Sequence, residues 1–142
     1  PTVLNINGST CARLSVPPGE QELWPIGNFG SNTFHIHQTD FTIISLNGVA
    51  VDDSLLRDNV PVGVHRVFSS PADTVGTIVG DTVVVRFTFE PIAAGPFVFH
   101  CHVLQHEDEG MMKNVCVYDP NDPEGVNKCN AMFSGGGGHG GH

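Results

Sequence analysis

No stretch limits what this chain can fold into more than Phe97-Val98-Phe99-His100-Cys101-His102-Val103-Leu104-Gln105-His106-Glu107-Asp108-Glu109-Gly110-Met111-Met112. Its apolar start reads as a buried strand, and its polar, glycine-bearing end as a loop. Side chains alternate faces along a strand, so His100 and His102 point one way and Cys101 the other. A single His or Met in such a place is ordinarily a core residue; three His, one Cys and one Met at these offsets are not. Cys101, His106 and Met111 offer a thiolate, an imidazole and a thioether within a short reach. That is most of the set that holds copper in a trigonal blue site with a long axial Met. The two imidazoles on the opposite face are left for other metal ions, so one cysteine links two metal sites through bonds.

A second pair of histidines precedes it, in Asn32-Thr33-Phe34-His35-Ile36-His37-Gln38-Thr39-Asp40-Phe41. His35 and His37 are two apart, so on an extended chain they face the same side. Alone, such a pair is as often exposed or hydrogen-bonded as metal-binding; two of them in one small domain point to metal. Asp40 is either a carboxylate that orients an imidazole or a solvated turn residue. His65, with no second ligand type beside it, reads as a surface or structural residue.

With 142 residues the chain is long enough for one domain with a proper core. Its 17 glycines, 10 prolines and 15% charged residues favour an all-β domain rich in turns. Thr82 to Phe89 alternates most clearly. Shorter strands are expected at Thr2 to Ile6, Glu22 to Asn28, Phe41 to Leu46, Val60 to Phe68, Thr77 to Val79 and Lys113 to Tyr118, with Pro25 on an edge or a bulge. Asn47-Gly48 is a hairpin turn, and Ala93-Ala94-Gly95-Pro96 turns into the metal strand. Regular short strands with turns between them make a β-sandwich with Greek-key links. We expect the domain to span residues 1–118. Residues 119–142 then form an extension ending in a flexible Gly/His tail that cannot pack a core.

The net charge of −9 argues against nucleic acid and anionic membranes as partners, and no apolar run has the length of a membrane span. Of the four cysteines, Cys101 is a ligand. Cys116 and Cys129 flank a turn-rich segment and can close a small loop; a Cys11–Cys129 pair is the other choice. Cys11, if left over, is unpaired or bonds another chain. Either disulfide implies an oxidising compartment, secreted or periplasmic.

The residues HCHxxxHxxxxM from His100 to Met111, with the upstream HIHQTDF, closely resemble the C-terminal cupredoxin domain of the laccase-like multicopper oxidases. The resemblance runs over roughly residues 20 to 118. It implies a cupredoxin-like Greek-key β-sandwich with copper as cofactor. By resemblance, Cys101, His106 and Met111 bind type 1 copper. His100 and His102 bind one ion each of the type 3 pair, His35 is the type 2 ligand, and His37 is the remaining type 3 ligand. Glu107 is similar to the carboxylate that feeds protons towards the oxygen site. The implied reaction oxidises a small reductant at type 1 copper and reduces dioxygen to water at a trinuclear cluster.

The sequence departs from that family in two places. The family reads HPxHxH, where the first His is the second imidazole of type 1 copper; here that position is Asn32. The blue site is then empty or retuned by another donor, with His65 as a displaced candidate. The cluster needs eight histidines, and this chain supplies four. The others are expected from a second cupredoxin domain or chain, or from self-association into a homo-oligomer. The competing reading is a copper-binding or electron-transfer protein without oxidase chemistry. Zinc is disfavoured, because HCH on a strand cannot wrap all three side chains around one ion. A hydrolase is disfavoured because Cys101 is flanked by ligands and no oxyanion loop is recognisable.

Overall fold

A computed structural model describes residues 13–27, 30–119 and 121–134. Two sheets face each other. The first, in spatial order, is β1 (Arg13–Val16), β11 (Met112–Val117), β10 (Gly95–Cys101), β3 (Asn32–Ile36) and β6 (Asn59–Val62). The second is β2 (Gln21–Gly27), β9 (Thr82–Thr88), β4 (Phe41–Leu46) and β5 (Val49–Ala50). A separate two-stranded ribbon joins β7 (Val64–Val67) to β8 (Thr77–Gly80). From β1 to β4 the chain changes sheet at every step, which gives the expected Greek-key sandwich.

The strands form where alternation is cleanest. In β9, Val83, Val85 and Phe87 turn inward and are buried, while Thr82 and Arg86 are exposed. They meet Phe41, Ile43, Ile36, Phe99, Val115 and Val117 in one continuous core. Trp24 stands edge-on to both Phe87 and Phe99, 4.9 Å and 5.7 Å between ring centres, and so ties the two sheets together. Pro25 is tolerated because β2 is an edge strand. Asn47 and Gly48 both take positive φ (50° and 79°), as the tight turn between β4 and β5 requires.

The segment expected as one strand from Val60 to Phe68 is two strands, broken at Gly63, whose carbonyl accepts from Asp81 N at 2.9 Å. Gly95 and Pro96 lie inside β10 rather than in a turn. Among the described residues two α-helices and a short 3-10 turn at Pro91–Ala93 add to the strands: α1 (Leu104–Asp108), carrying His106, and α2 (Pro123–Ser134). Asp122 caps α2, accepting from Glu124 N and Gly125 N at 3.0 and 3.1 Å. Cys129 of α2 is bonded to Cys116 of β11, which decides between the two disulfides the sequence allows. Cys11, the strand expected at Thr2 to Ile6 and the Gly/His tail lie outside the described residues. No helix among the described residues is long and apolar enough to cross a membrane.

Candidate metal centre

Strands β3 and β10 run antiparallel, with His35 across from His100 and Phe34 across from Cys101. Facing residues share one side of a sheet, so this register sorts the histidines from the cysteine. His37 N bonds Val98 O and His102 N bonds Thr33 O, extending the pairing beyond both strand ends. The four histidines collect on the outer side. The ring of His35 is 4.8 Å from His37, 5.0 Å from His100 and 5.2 Å from His102. The ligand nitrogens of His35, His37 and His100 all lie within 4.8 Å of one another. His102 joins through ring contacts and is not in that closest nitrogen group.

Neighbouring carbonyls set the direction of two of these rings. His35 Nδ1 donates to Asp58 O at 2.7 Å, and His100 Nδ1 donates to Cys101 O at 3.0 Å. A carbonyl can only accept, so each proton sits on Nδ1 and each Nε2 lone pair is free for a metal. Asp58 was not singled out by sequence, because a main-chain carbonyl leaves no signature. Asp40 lines the same open depression of about 440 Å³ but bonds neither imidazole. His37 and His100 bring their Nε2 atoms to 3.2 Å. Burial, then the neighbouring His35 and His100, hold the His37 imidazole below its usual pKa; Glu107 and Asp58 oppose them weakly. That keeps a lone pair available.

Cys101 lies on the opposite, inward side and is 4% exposed. Its Sγ is 3.5 Å from His106 Nδ1 and 3.5 Å from Asn32 Oδ1. Thr33 N and Val103 N also point at the sulfur, each at 3.5 Å. Met111 is fixed between the two: its N–H donates to His106 O at 2.8 Å and its carbonyl accepts from Cys101 N at 3.0 Å. Gly110, with φ of 95°, makes the turn that brings Met111 back. Glu107 bridges the two sides, since its Oε2 is 3.5 Å from His100 Nδ1 while His106 next to it faces the sulfur. His65 is elsewhere: it sits on the β7–β8 ribbon with Nδ1 2.7 Å from Asp81 Oδ1.

A family model described as multicopper oxidase matches residues 7–121. The chain is similar to a laccase of Haloferax volcanii, 34% identical over 104 residues, covering 72% of this chain and 16% of that protein. It is also similar to a bilirubin oxidase of Albifimbria verrucaria, 34% identical over 107 residues, covering 69% and 16%. Among solved structures, a multicopper oxidase from Pediococcus acidilactici superposes with a TM-score of 0.59 at 26% identity, covering 84% of this chain and 23% of that one. The chain thus spans less than a quarter of the length of each.

Proposed function

The chain belongs to the multicopper oxidase family, and from that premise we propose that it is the cupredoxin domain that takes in electrons and holds half of an oxygen-reducing copper cluster. The small reductant is oxidised on the Cys101 side. Dioxygen becomes water on the histidine side, in a site completed by a second cupredoxin domain or chain, or by another copy of this one. The observation that carries this reading is the position of Cys101: it faces one site while His100 and His102, bonded to it on either side, face the other.

The donors suit copper. Copper, when bound, supplies a one-electron couple beside the thiolate and an oxygen-binding site among the imidazoles. Cys101, His106 and Met111 would hold the type 1 ion, His35 the type 2 ion, and His37, His100 and His102 the type 3 pair. Two nitrogens bound to one ion at roughly 2.0 Å and near the tetrahedral angle stand about 3.3 Å apart. The 3.2 Å between His37 and His100 therefore favours their sharing one ion, which leaves His102 for the other. The backbone bonds that join Cys101 to His100 and to His102 would offer an electron two covalent routes from the thiolate side to the histidine side. Glu107, with Oε2 3.5 Å from His100 Nδ1, would hand protons on towards the histidine side, a role supported by that proximity. We take residues 1–118 as the cupredoxin domain and place the protein outside the cytoplasm, in keeping with the Cys116–Cys129 disulfide.

A second reading, a copper-binding or electron-transfer protein without oxidase chemistry, is favoured by one observation: Asn32 beside the cysteine sulfur. Counting copper per chain with EPR, alongside dioxygen uptake with a phenolic reductant, separates the readings. Replacing His35 and His37 by Ala should abolish oxygen uptake and the copper that survives Cys101→Ser, and spare the copper at Cys101. Cys101→Ser should do the reverse to the copper. Loss of the Cys101 copper in the histidine variant instead would mean that the two faces are assigned the wrong way round. A copper-free monomer in native mass spectrometry would overturn the shared cluster.

A further inference from the structure

Among the described residues the Cys101 side brings one imidazole, that of His106, to the sulfur, and we propose that the amide oxygen of Asn32 fills the place of the second, giving a centre that holds copper as the cuprous ion in air. This rests on the type 1 assignment above and concerns what that centre is.

The geometry points to Asn32 as a donor. Asn32 Oδ1 and His106 Nδ1 stand at the same 3.5 Å from Cys101 Sγ. Two donors bound to one ion at roughly 2.0 and 2.3 Å with a wide angle between them are about 3.5–3.7 Å apart. Asn32 is held there by β3, where it pairs with Val62, one residue before Thr33, whose N–H also aims at the sulfur. His65, the other candidate for the missing imidazole, is engaged by Asp81 on the ribbon.

Four features then favour the lower oxidation state. A neutral amide oxygen is a weaker donor than imidazole, and so offsets less of the charge of Cu(II). The remaining set of thiolate, thioether and a single imidazole is soft, and soft ligands select Cu(I). The N–H groups of Thr33 and Val103 draw electron density from the sulfur, weakening the thiolate that Cu(II) needs most. Burial acts in the same direction: Cu(I) with a thiolate is neutral and Cu(II) with a thiolate is not, and Cys101 is 4% exposed beside the apolar core. Oxidation of the centre removes one electron from Cu(I), moves no proton, and needs an external one-electron acceptor. In the assembled protein such a centre gives up its electron reluctantly, so electron release from Cys101 limits the rate.

The test loads the purified protein with Cu(I) without oxygen and measures its affinity by competition with bicinchoninate. The centre is then exposed in turn to air, ferricyanide and hexachloroiridate(IV), with the thiolate-to-Cu(II) band, EPR and copper K-edge absorption recorded. The wild type should bind one Cu(I) that Cys101→Ser loses, and should show the band only with hexachloroiridate. Asn32→His should show it in air, with at least a hundredfold higher Cu(II)/Cu(I) ratio at a given potential, about 120 mV for a one-electron couple. Asn32→Asp, nearly the same size and so compatible with the same packing, should shift the ratio in the same direction, because an anionic oxygen favours Cu(II). A wild type that turns blue in air, or that titrates together with both variants, overturns the proposal while leaving the type 1 assignment intact. No Cys101-dependent copper in wild type or variants overturns both.

Discussion

His37, one residue past the end of β3, and His100 of β10, 63 residues apart in the chain, face each other through their Nε2 atoms at 3.2 Å. Without a metal between them, at most one of these atoms carries a proton comfortably, and His35 crowds both rings. Protonating both rings would set two like charges side by side, and the proposed shared metal ion removes that conflict.

Acid should therefore destabilise the metal-free protein through His37. Its folded pKa lies below the ordinary imidazole value of about 6.5. Below that pH the unfolded chain binds more protons than the folded one, so stability falls as pH drops through and below about 6.5. Urea denaturation of the metal-free protein at pH 8 and pH 5 should show this loss, and His37→Gln should shrink it. An equal loss in the variant would assign the effect to other groups.

Reducing the Cys116–Cys129 bond should release α2. The bond closes a loop of 13 residues of separation, for which chain entropy gives about 3 kcal/mol. Replacing both cysteines by Ser should lower the unfolding free energy by roughly 2–3 kcal/mol and expose residues 121–134 to protease. The copper content should not change, because Cys116 lies across from Pro96, four residues along β10 from His100.

The tip of the β7–β8 ribbon should loosen only in strong acid. Asp73 accepts from Val75 N, Gly76 N, Ser69 N and the Ser69 hydroxyl, at 2.8–3.1 Å. These bonds hold its pKa down to about 2. Their contribution is complete above the unfolded carboxylate value of about 3.9 and is lost as pH falls through about 2. Asp73→Ala should lower the amide-exchange protection factors of Val75 and Gly76 at neutral pH to those the wild type shows only in acid.

Much of this architecture could be read directly from residue order. The alternation of Thr82 to Phe89 and the Asn47-Gly48 turn are local signals, and each determined its element. The sharing of a face by His35 with His37, and by His100 with His102, follows from strand period alone. Their convergence needed the register of β3 on β10, which is a long-range property no local pattern encodes. Helix α2 went unread because Asp119, Pro120, Asn121 and Asp122 speak for a turn, and its own residues show little apolar patterning. The signal was present in Asp122-Pro123, a capping residue followed by the imino acid favoured in a first helical turn. Asn32 was visible as a substitution, but only the folded chain shows its oxygen against the sulfur of Cys101.

Strand β10 lies inside its sheet, with β11 on one flank and β3 on the other. An interior strand has no free edge from which to peel away, so it opens only when the sheet itself comes apart. Heat or proteases therefore have no easy route to a molecule that keeps its imidazole cluster but has lost its thiolate, or the reverse. The two sites survive together and are destroyed together, and ageing preparations should lose molecules rather than accumulate half-dismantled ones.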